Sequence, residues 1–196
     1  LMLDKTRRVT TVGKYADSLC LKIYETLSLI LHIKPNVADQ LSTFASFLRS
    51  CLANHVDQEL NLAYCHGDFH QGNILATTEE YWILDWEYSG EKQIACDLFI
   101  ILVESRMESG FSSRFLNLLN SHLDEFKAQI ADGWPSISWR DNNLRKIYLT
   151  IFLLEELVFY IEESANPLFY GKKNILEGRC DEFMKILHHM QRIKFL

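Results

Sequence analysis

One polar stretch interrupts a chain whose apolar residues otherwise recur at helical spacing, and this interruption limits the folds open to the chain. Between Leu62 and Leu84, two short β-prone runs, Ile-Leu-Ala at 74–76 and Tyr-Trp-Ile-Leu at 81–84, flank the polar segment Thr-Thr-Glu-Glu. This pattern predicts a small β-hairpin. Helical spacing returns on both sides, so we predict an α+β, predominantly helical fold that carries one hairpin.

The helical segments are separated by glycine and proline. Apolar residues form one buried stripe over residues 14–32, and a second helix follows Pro35 and runs to about Cys51. We interpret both as packing elements, because their stripes have the width usual for a surface helix. The helices predicted after the hairpin cover residues 97–105, 112–131, 141–163 and 174–193.

Composition excludes several classes of function. The formal net charge is −6 at pH 7, and no stripe of clustered Lys and Arg is present, so we expect no nucleic-acid partner. The longest apolar stretches contain Lys or Glu, which makes them unsuited to crossing a bilayer, and we expect no membrane partner. Five cysteines without a Cys-x-x-Cys pair indicate free thiols in a reducing compartment, so we expect a cytoplasmic protein.

The hairpin and the loop before it hold the residues best suited to chemistry. Residues 66–73 read His-Gly-Asp-Phe-His-Gln-Gly-Asn, which places Asp68 and Asn73 on one glycine-containing turn. Asp85 follows the second β-prone run, which returns the chain beside that turn. A carboxylate and an amide oxygen suit Mg²⁺, which takes few protein ligands beside waters and phosphates. A further carboxylate that accepts a hydroxyl proton is what phosphoryl transfer requires.

These segments resemble the aminoglycoside phosphotransferase/choline kinase family, whose members share the fold of protein kinases. The resemblance depends on the pattern HGDxxxxN, on Ile-Leu-Asp-Trp-Glu at 83–87 and on Asp-Leu at 97–98, in this order. The segment 85–90 is similar to the choline, ethanolamine and thiamine kinase branch. Residues 70–73 are closer to the aminoglycoside and generic small-molecule kinases, so the branch stays open.

The resemblance implies a role for each residue of the motif. Asp68 would be the catalytic base, and Asn73 and Asp85 would bind the nucleotide through Mg²⁺. His66 and Asp97 would support the catalytic loop. The implied fold is a protein-kinase-like C-terminal lobe, and the implied reaction moves the γ-phosphoryl group of ATP to a hydroxyl of a small, amine-bearing substrate such as choline, ethanolamine, thiamine or an aminoglycoside.

Candidate residues for binding this acceptor lie in two places. Trp86, Glu87 and Tyr88 adjoin the expected metal site. Glu155 and Glu156 lie in an aromatic, acidic helix, and the resemblance implies an acceptor site built from C-terminal helices. Carboxylates and aromatic rings hold a cationic amine through charge and cation–π contacts. Core packing is the competing explanation for the aromatic residues of this helix.

One departure from the family concerns its N-terminal lobe. Only Gly13 precedes Gly67, so we find no glycine-rich phosphate loop upstream and no recognisable lysine for the phosphates. We therefore expect residues 1–196 to be a single C-terminal lobe without the N-terminal ATP-binding lobe. Its expected parts are a helical part at 1–60, the catalytic loop and hairpin at 61–98, and a second helical part at 99–196.

This expectation leaves several alternatives open. The chain could be a fragment of a longer enzyme, its N-lobe could lie on a separate chain, or it could be a non-catalytic, kinase-like binding module. A homodimer through the exposed nucleotide-facing surface is a further alternative. In each case we expect the isolated chain to be a poor kinase.

Overall fold

The computed structural model describes residues 5–30, 33–120, 141–166, 174–193 and 195. The predominantly helical α+β fold predicted from the sequence is confirmed. The described helices are α1 (Val12–Leu29), α2 (Pro35–Cys51), α3 (Cys96–Leu102), α4 (Phe111–Asn120), α5 (Asn142–Ala165) and α6 (Asn174–Ile193). The described strands are β1 (Arg8–Thr11), β2 (Glu59–Cys65), β3 (Ile74–Ala76), β4 (Tyr81–Ile83) and β5 (Gly90–Gln93).

The helices begin where local capping chemistry allows. The Thr11 hydroxyl accepts the N–H of Lys14 at the start of α1, and the Asp141 carboxylate accepts two N–H groups at the start of α5. Each helix predicted from periodicity is present with ends shifted by a few residues. The C-terminal part of the helix predicted for 112–131 lies outside the described residues, since the description of α4 ends at Asn120.

Two small antiparallel sheets lie among the helices. The predicted hairpin is confirmed, because β3 pairs with β4 and Ile74 lies opposite Ile83. The larger sheet, in the order β1-β2-β5, is absent from the sequence-based prediction. Its outer strands are four residues long, and β1 lies in the part predicted to be helical. Such short segments become strands through pairing with β2, so their own residues carry little signal.

Helix α5 forms the centre of the core. It is buried continuously from Ile147 to Val158, and α1 packs along it. The Tyr148 hydroxyl accepts the backbone N–H of Asn61 at 3.0 Å, and the Phe152 ring packs 5.4 Å from that of Phe99. Core packing therefore explains Tyr148 and Phe152, and neither is free to contact a ligand.

The cysteines behave as packing residues. All five are free thiols, and only Cys51 is not fully buried. Burial raises the pKa of Cys65 and of Cys96, the two that flank the hairpin region, so neither is poised for nucleophilic chemistry. Over the described parts of the chain, no helix is both long enough and apolar enough to span a membrane.

Candidate active site

The loop of residues 66–73 connects β2 to β3 and depends on a glycine. Gly67 has a φ of +80°, and a Cβ at this position would lie 2.3 Å from the carbonyl oxygen of Tyr88. A larger residue would be both strained and obstructed there. The His70 ring accepts the N–H of Gly72 at 3.0 Å and begins a short 3₁₀ turn that ends at Asn73.

Asp97, in the first turn of α3, holds the loop from its other side. Its Oδ2 accepts the N–H of His66 at 2.7 Å, and its Oδ1 accepts the N–H of Gly67 at 2.8 Å. Both hydrogen bonds are charge-assisted and are therefore stronger than neutral ones. The structure thus places Asp97 against the loop 66–73.

His66 joins the loop to the end of the hairpin. The N–H of Asp68 donates to His66 Nδ1 at 3.2 Å, so the ring proton is assigned to Nε2. Nε2 then donates to the carbonyl oxygen of Leu84 at 2.7 Å. Both ring nitrogens of His66 are therefore engaged in hydrogen bonds within the structure.

Asp68 has hydrogen bonds to both oxygens of its carboxylate. Arg106 Nε donates to Oδ1 at 2.6 Å, and Asn73 Nδ2 donates to Oδ2 at 3.1 Å. His70 Nε2 lies 3.5 Å from Oδ2. A carboxylate offers about four acceptor positions, so these contacts orient Asp68 and still leave it able to accept a hydroxyl proton from the adjoining cavity.

The hairpin returns Asp85 to the neighbourhood of Asn73. The N–H of Leu84 donates to the Asn73 carbonyl oxygen at 2.9 Å, and Asp85 is the next residue. Asp85 adopts the left-handed conformation (φ 62°, ψ 65°) with an exposed side chain. This conformation is uncommon for a residue other than glycine and is enriched at functional sites.

This pair suits Mg²⁺ by the chemistry of its donors. The amide nitrogen of Asn73 is committed to Asp68, and no described residue donates to its amide oxygen. One amide oxygen and one exposed carboxylate are hard ligands of the kind Mg²⁺ shares with water and phosphate. Among the described residues, no three or more His, Cys, Asp or Glu side chains meet as a metal cluster.

Arg106 is a site residue that the sequence-based prediction misses. Its NH1 donates to both oxygens of Glu156, at 3.0 and 2.7 Å, and its NH2 donates to the carbonyl oxygen of Gly67 at 2.9 Å. Burial disfavours the charge of Arg106, but Glu156, Tyr160 and Asp68 together outweigh this effect, and the pKa of Arg106 is raised. No local motif surrounds Arg106, because its acidic partners lie 38 and 50 residues away in the chain.

A cavity of ≈ 570 Å³ lies beside Asp68 and Arg106. It opens between the loop 66–73 and helices α5 and α6. Its carboxylates outnumber its guanidinium groups, which favours a cationic ligand. The charged residues of its wall are Asp68, Glu87, Glu108 and Glu163 on the acidic side and Arg106 and Arg179 on the basic side.

Of the residues predicted to bind the acceptor, Glu87 and Tyr88 line this cavity. The Tyr88 hydroxyl donates to the Glu163 carboxylate. Burial, together with Glu163, raises the pKa of Tyr88, so its hydroxyl stays protonated as a donor. Trp86 packs 4.8 Å from the His66 ring and is not in the cavity wall.

The two glutamates predicted in the helix have other partners. Glu156 is 1% exposed and is bound by Arg106. Glu155 contacts α1 and β5 instead, where its Oε1 accepts the Tyr15 hydroxyl and the N–H of Gln93, each at 2.7 Å. Burial raises the pKa of Glu155 to about 7, although the ammonium of Lys92 opposes that shift. Glu155 borders a second cavity of ≈ 380 Å³ and not the one beside Asp68.

The predominantly helical fold thus places Asp68, in the loop before the hairpin, beside an acidic cavity, and brings Asn73 and Asp85 close together where the hairpin begins and ends. A sequence model of the phosphotransferase enzyme family (APH) matches residues 20–138, and the chain belongs to this family. Two thiamine kinases of Escherichia coli are similar in sequence. The chain is 30% identical over 78 residues to that of strain HS (O9:H4) and 26% identical over 115 residues to that of strain SMS-3-5.

Solved structures show the same fold. A choline/ethanolamine kinase family protein from Mesorhizobium loti superposes with a TM-score of 0.55 at 21% identity, over 92% of this chain and 59% of that protein. A glucosamine kinase in complex with glucosamine, ADP and inorganic phosphate superposes with a TM-score of 0.50 at 16% identity, over 98% of this chain and 52% of that protein.

The matched regions cover 40% and 57% of this chain but only 26% and 40% of the two thiamine kinases.

Proposed function

We propose that this chain is the catalytic lobe of an ATP- and Mg²⁺-dependent kinase that phosphorylates a hydroxyl of a small, amine-bearing alcohol. The observation that carries the proposal is that Asn73 is hydrogen-bonded to Asp68, which lines the acidic cavity, and that Asp85 follows the residue hydrogen-bonded to Asn73. In a family whose members transfer phosphoryl groups, these are the residue types that such a transfer requires.

Asp68 accepts the proton in the proposed reaction. The acceptor oxygen attacks the γ-phosphorus of ATP, and the bond between this phosphorus and the bridging oxygen of ADP breaks. ADP leaves with the electrons of that bond, while Asp68 takes the hydroxyl proton. Hydrogen bonds from Arg106 and Asn73 hold the carboxylate in place for this step.

Asn73 and Asp85 bind the Mg²⁺–ATP complex in this proposal. The metal would neutralise the negative charge that develops on the phosphates during transfer. The Asn73 amide nitrogen donates to Asp68, and no described residue donates to the amide oxygen, which is therefore available as a ligand. Asp85 is held near it by the Leu84 hydrogen bond and by its left-handed backbone.

The charge of the cavity supports the proposed acceptor class. Glu87 and Glu163 place negative charge near Tyr88, which suits an ammonium group. Phe159 is less suited, because the Arg106 guanidinium already covers its ring at 3.7 Å. Choline, ethanolamine, thiamine and aminoglycosides all combine a hydroxyl with a cationic nitrogen, and the proposal covers this class.

A second, β-rich lobe belongs to the proposal. Large apolar side chains are exposed along the hairpin, including Leu75, Tyr81 and Trp82. An exposed patch of this kind marks an interaction surface. We propose that the nucleotide lies between this face and a β-rich lobe, supplied in the same protein or on another chain, and that the reaction uses cytoplasmic ATP.

Thermal unfolding with Mg²⁺–ATP tests the nucleotide half of the site. We expect a rise in Tm that Asp85→Asn abolishes and that Asp57→Asn, an exposed aspartate in a turn, retains. Transfer of labelled γ-phosphate to choline, ethanolamine, thiamine and an aminoglycoside then tests the reaction, with Asp68→Asn as the inactive control. A shift retained in Asp85→Asn would overturn the metal assignment. Binding without any transfer, even when the β-rich lobe is supplied, would favour the non-catalytic module.

A further inference from the structure

Arg106 connects three separate parts of the structure. Its guanidinium donates to Asp68 and to Gly67 in the loop 66–73, to Glu156 in α5, and to the hydroxyl of Ser105 beside it. Its side chain is 11% exposed. The planar guanidinium fixes the directions of its donors relative to one another, so a partner bound to one nitrogen is positioned relative to the partners of the others.

Helix α5 anchors this connection. Glu156 is fully enclosed in the best-buried part of α5 and accepts two hydrogen bonds from Arg106. Phe159, one turn later, lies under the guanidinium at 3.7 Å. These contacts hold Arg106 from two sides. Arg106 in turn holds the loop 66–73 through its hydrogen bond to Asp68.

We propose that Arg106 is a positioning residue: held by Glu156 and Phe159, it fixes the carboxylate of Asp68 in the orientation that borders the acceptor cavity. Without Arg106, the Asp68 carboxylate keeps the hydrogen bond from Asn73 to Oδ2 and the 3.5 Å contact between Oδ2 and His70 Nε2. Its Oδ1 then has no hydrogen bond from a described residue, so the orientation of the carboxylate is less restrained than with both oxygens bound. The consequence for turnover rests on the proposed function, whereas the orientation of Asp68 does not.

Arg106 also restricts how an acceptor enters. Its guanidinium covers the Phe159 ring and contributes a positive charge to the inner wall of the cavity. A cationic acceptor is therefore expected to bind against the carboxylates of Glu87 and Glu163 and not against the Phe159 ring.

A nuclear magnetic resonance experiment reads the position of Asp68 without turnover. The side-chain amide of Asn73 donates to Asp68, so its ¹H–¹⁵N signals report movement of the carboxylate, and Asn73→Ala assigns them. We expect Arg106→Gln and Arg106→Lys both to shift these signals, because lysine keeps the charge and loses the planar geometry. Arg114→Gln is the matched control, since Arg114 binds only backbone carbonyls and Glu104 among the described residues.

Kinetics on an acceptor that the wild type phosphorylates provide the second readout. We expect kcat to fall about 100-fold in Arg106→Gln, with KM for ATP changed little, because misplacement of a reacting group costs rate and not nucleotide affinity. Arg114→Gln should keep the wild-type kcat. If Arg106→Gln does not fold, Glu156→Gln removes the anchor of Arg106 and should shift the Asn73 signals in the same way.

Unchanged Asn73 signals in the folded Arg106 and Glu156 variants would overturn the positioning role. Full rescue of the signals and of kcat by Arg106→Lys would also overturn it, since charge alone would then suffice. Absence of transfer to every acceptor, when the wild-type chain is assayed together with its β-rich lobe, would count against the proposed function. In that case the Asn73 signals still decide the role of Arg106.

Discussion

Asn73 donates from a single amide nitrogen to both the carbonyl oxygen of Asp68, at 3.0 Å, and its carboxylate, at 3.1 Å. One side chain therefore fixes the backbone and the side chain of the proposed base together. It also turns its own amide oxygen away from Asp68. The orientation of this amide thus positions Asp68, the proposed base, and leaves the Asn73 oxygen, the proposed metal ligand, pointing away from it.

Asn73→Asp should make the stability of the chain depend on Mg²⁺. The variant places a carboxylate where a donor faced Asp68, and repulsion between the two should lower Tm in the absence of metal. Added Mg²⁺ should raise Tm more in this variant than in the wild type, because the new carboxylate is a stronger ligand. Thermal unfolding with and without MgCl₂ measures the difference, and Asn117→Asp on the exposed face of α4 is the control.

Asp97→Asn should destabilise the loop 66–73. The native carboxylate accepts the N–H groups of His66 and Gly67, whereas an asparagine presents only one oxygen. One backbone donor then loses its partner, at a cost of about 1–3 kcal/mol. Urea unfolding measures this loss, and Asp181→Asn, exposed on α6, should unfold like the wild type. Equal stability of Asp97→Asn and the wild type would contradict this account of the loop.

Two glycine-to-alanine substitutions should have opposite effects. Gly67→Ala meets the Tyr88 carbonyl oxygen at 2.3 Å in a left-handed conformation, and we expect a loss of at least about 2 kcal/mol. Gly178→Ala lies inside α6 with nothing within 4 Å of the new Cβ. It should gain about 0.5–1 kcal/mol, because alanine favours the helix. Chemical denaturation of both variants checks the two signs.

Glu155 should make the protein less stable as the pH rises. Burial raises its pKa in the folded state to about 7, from an ordinary value of 4.5. The folded state therefore binds the proton more tightly than the unfolded state does. The stability that this proton contributes is present below about pH 4.5 and is lost as the pH rises through 7.

Glu155→Gln removes this titration. The free energy of unfolding of the variant relative to the wild type should increase between pH 5 and pH 8, by on the order of 1–3 kcal/mol. Denaturant unfolding at a series of pH values measures the change. Glu162→Gln, at a half-exposed ion pair with Lys22, is the matched control and should show no such trend. A constant difference across this range would contradict the assigned burial of Glu155.

The hairpin and the helices could be predicted from local sequence, and Asp68, Asn73 and Asp85 could be proposed as site residues from a local motif, although their roles stay predictions. Each of these depends on spacing within a few residues, and short-range geometry determines such features directly. Arg106 could not be found in this way, because its function depends on Glu156 and Asp68, which are distant in sequence. For the same reason the hydrogen-bond partners of Glu155 and Glu156 could not be predicted, because the residue type shows a carboxylate but not which distant groups will bind it.

Strand β2 ends at the residue before the loop 66–73 and is the middle strand of its sheet. Its neighbours come from opposite directions along the chain: β1 precedes the first long helix, and β5 follows the hairpin. The amide hydrogens of His66 and Gly67 should therefore exchange with solvent deuterium only when the whole lobe opens, not through local fraying. During folding, the loop should reach its final shape late, because its support requires distant segments to meet first.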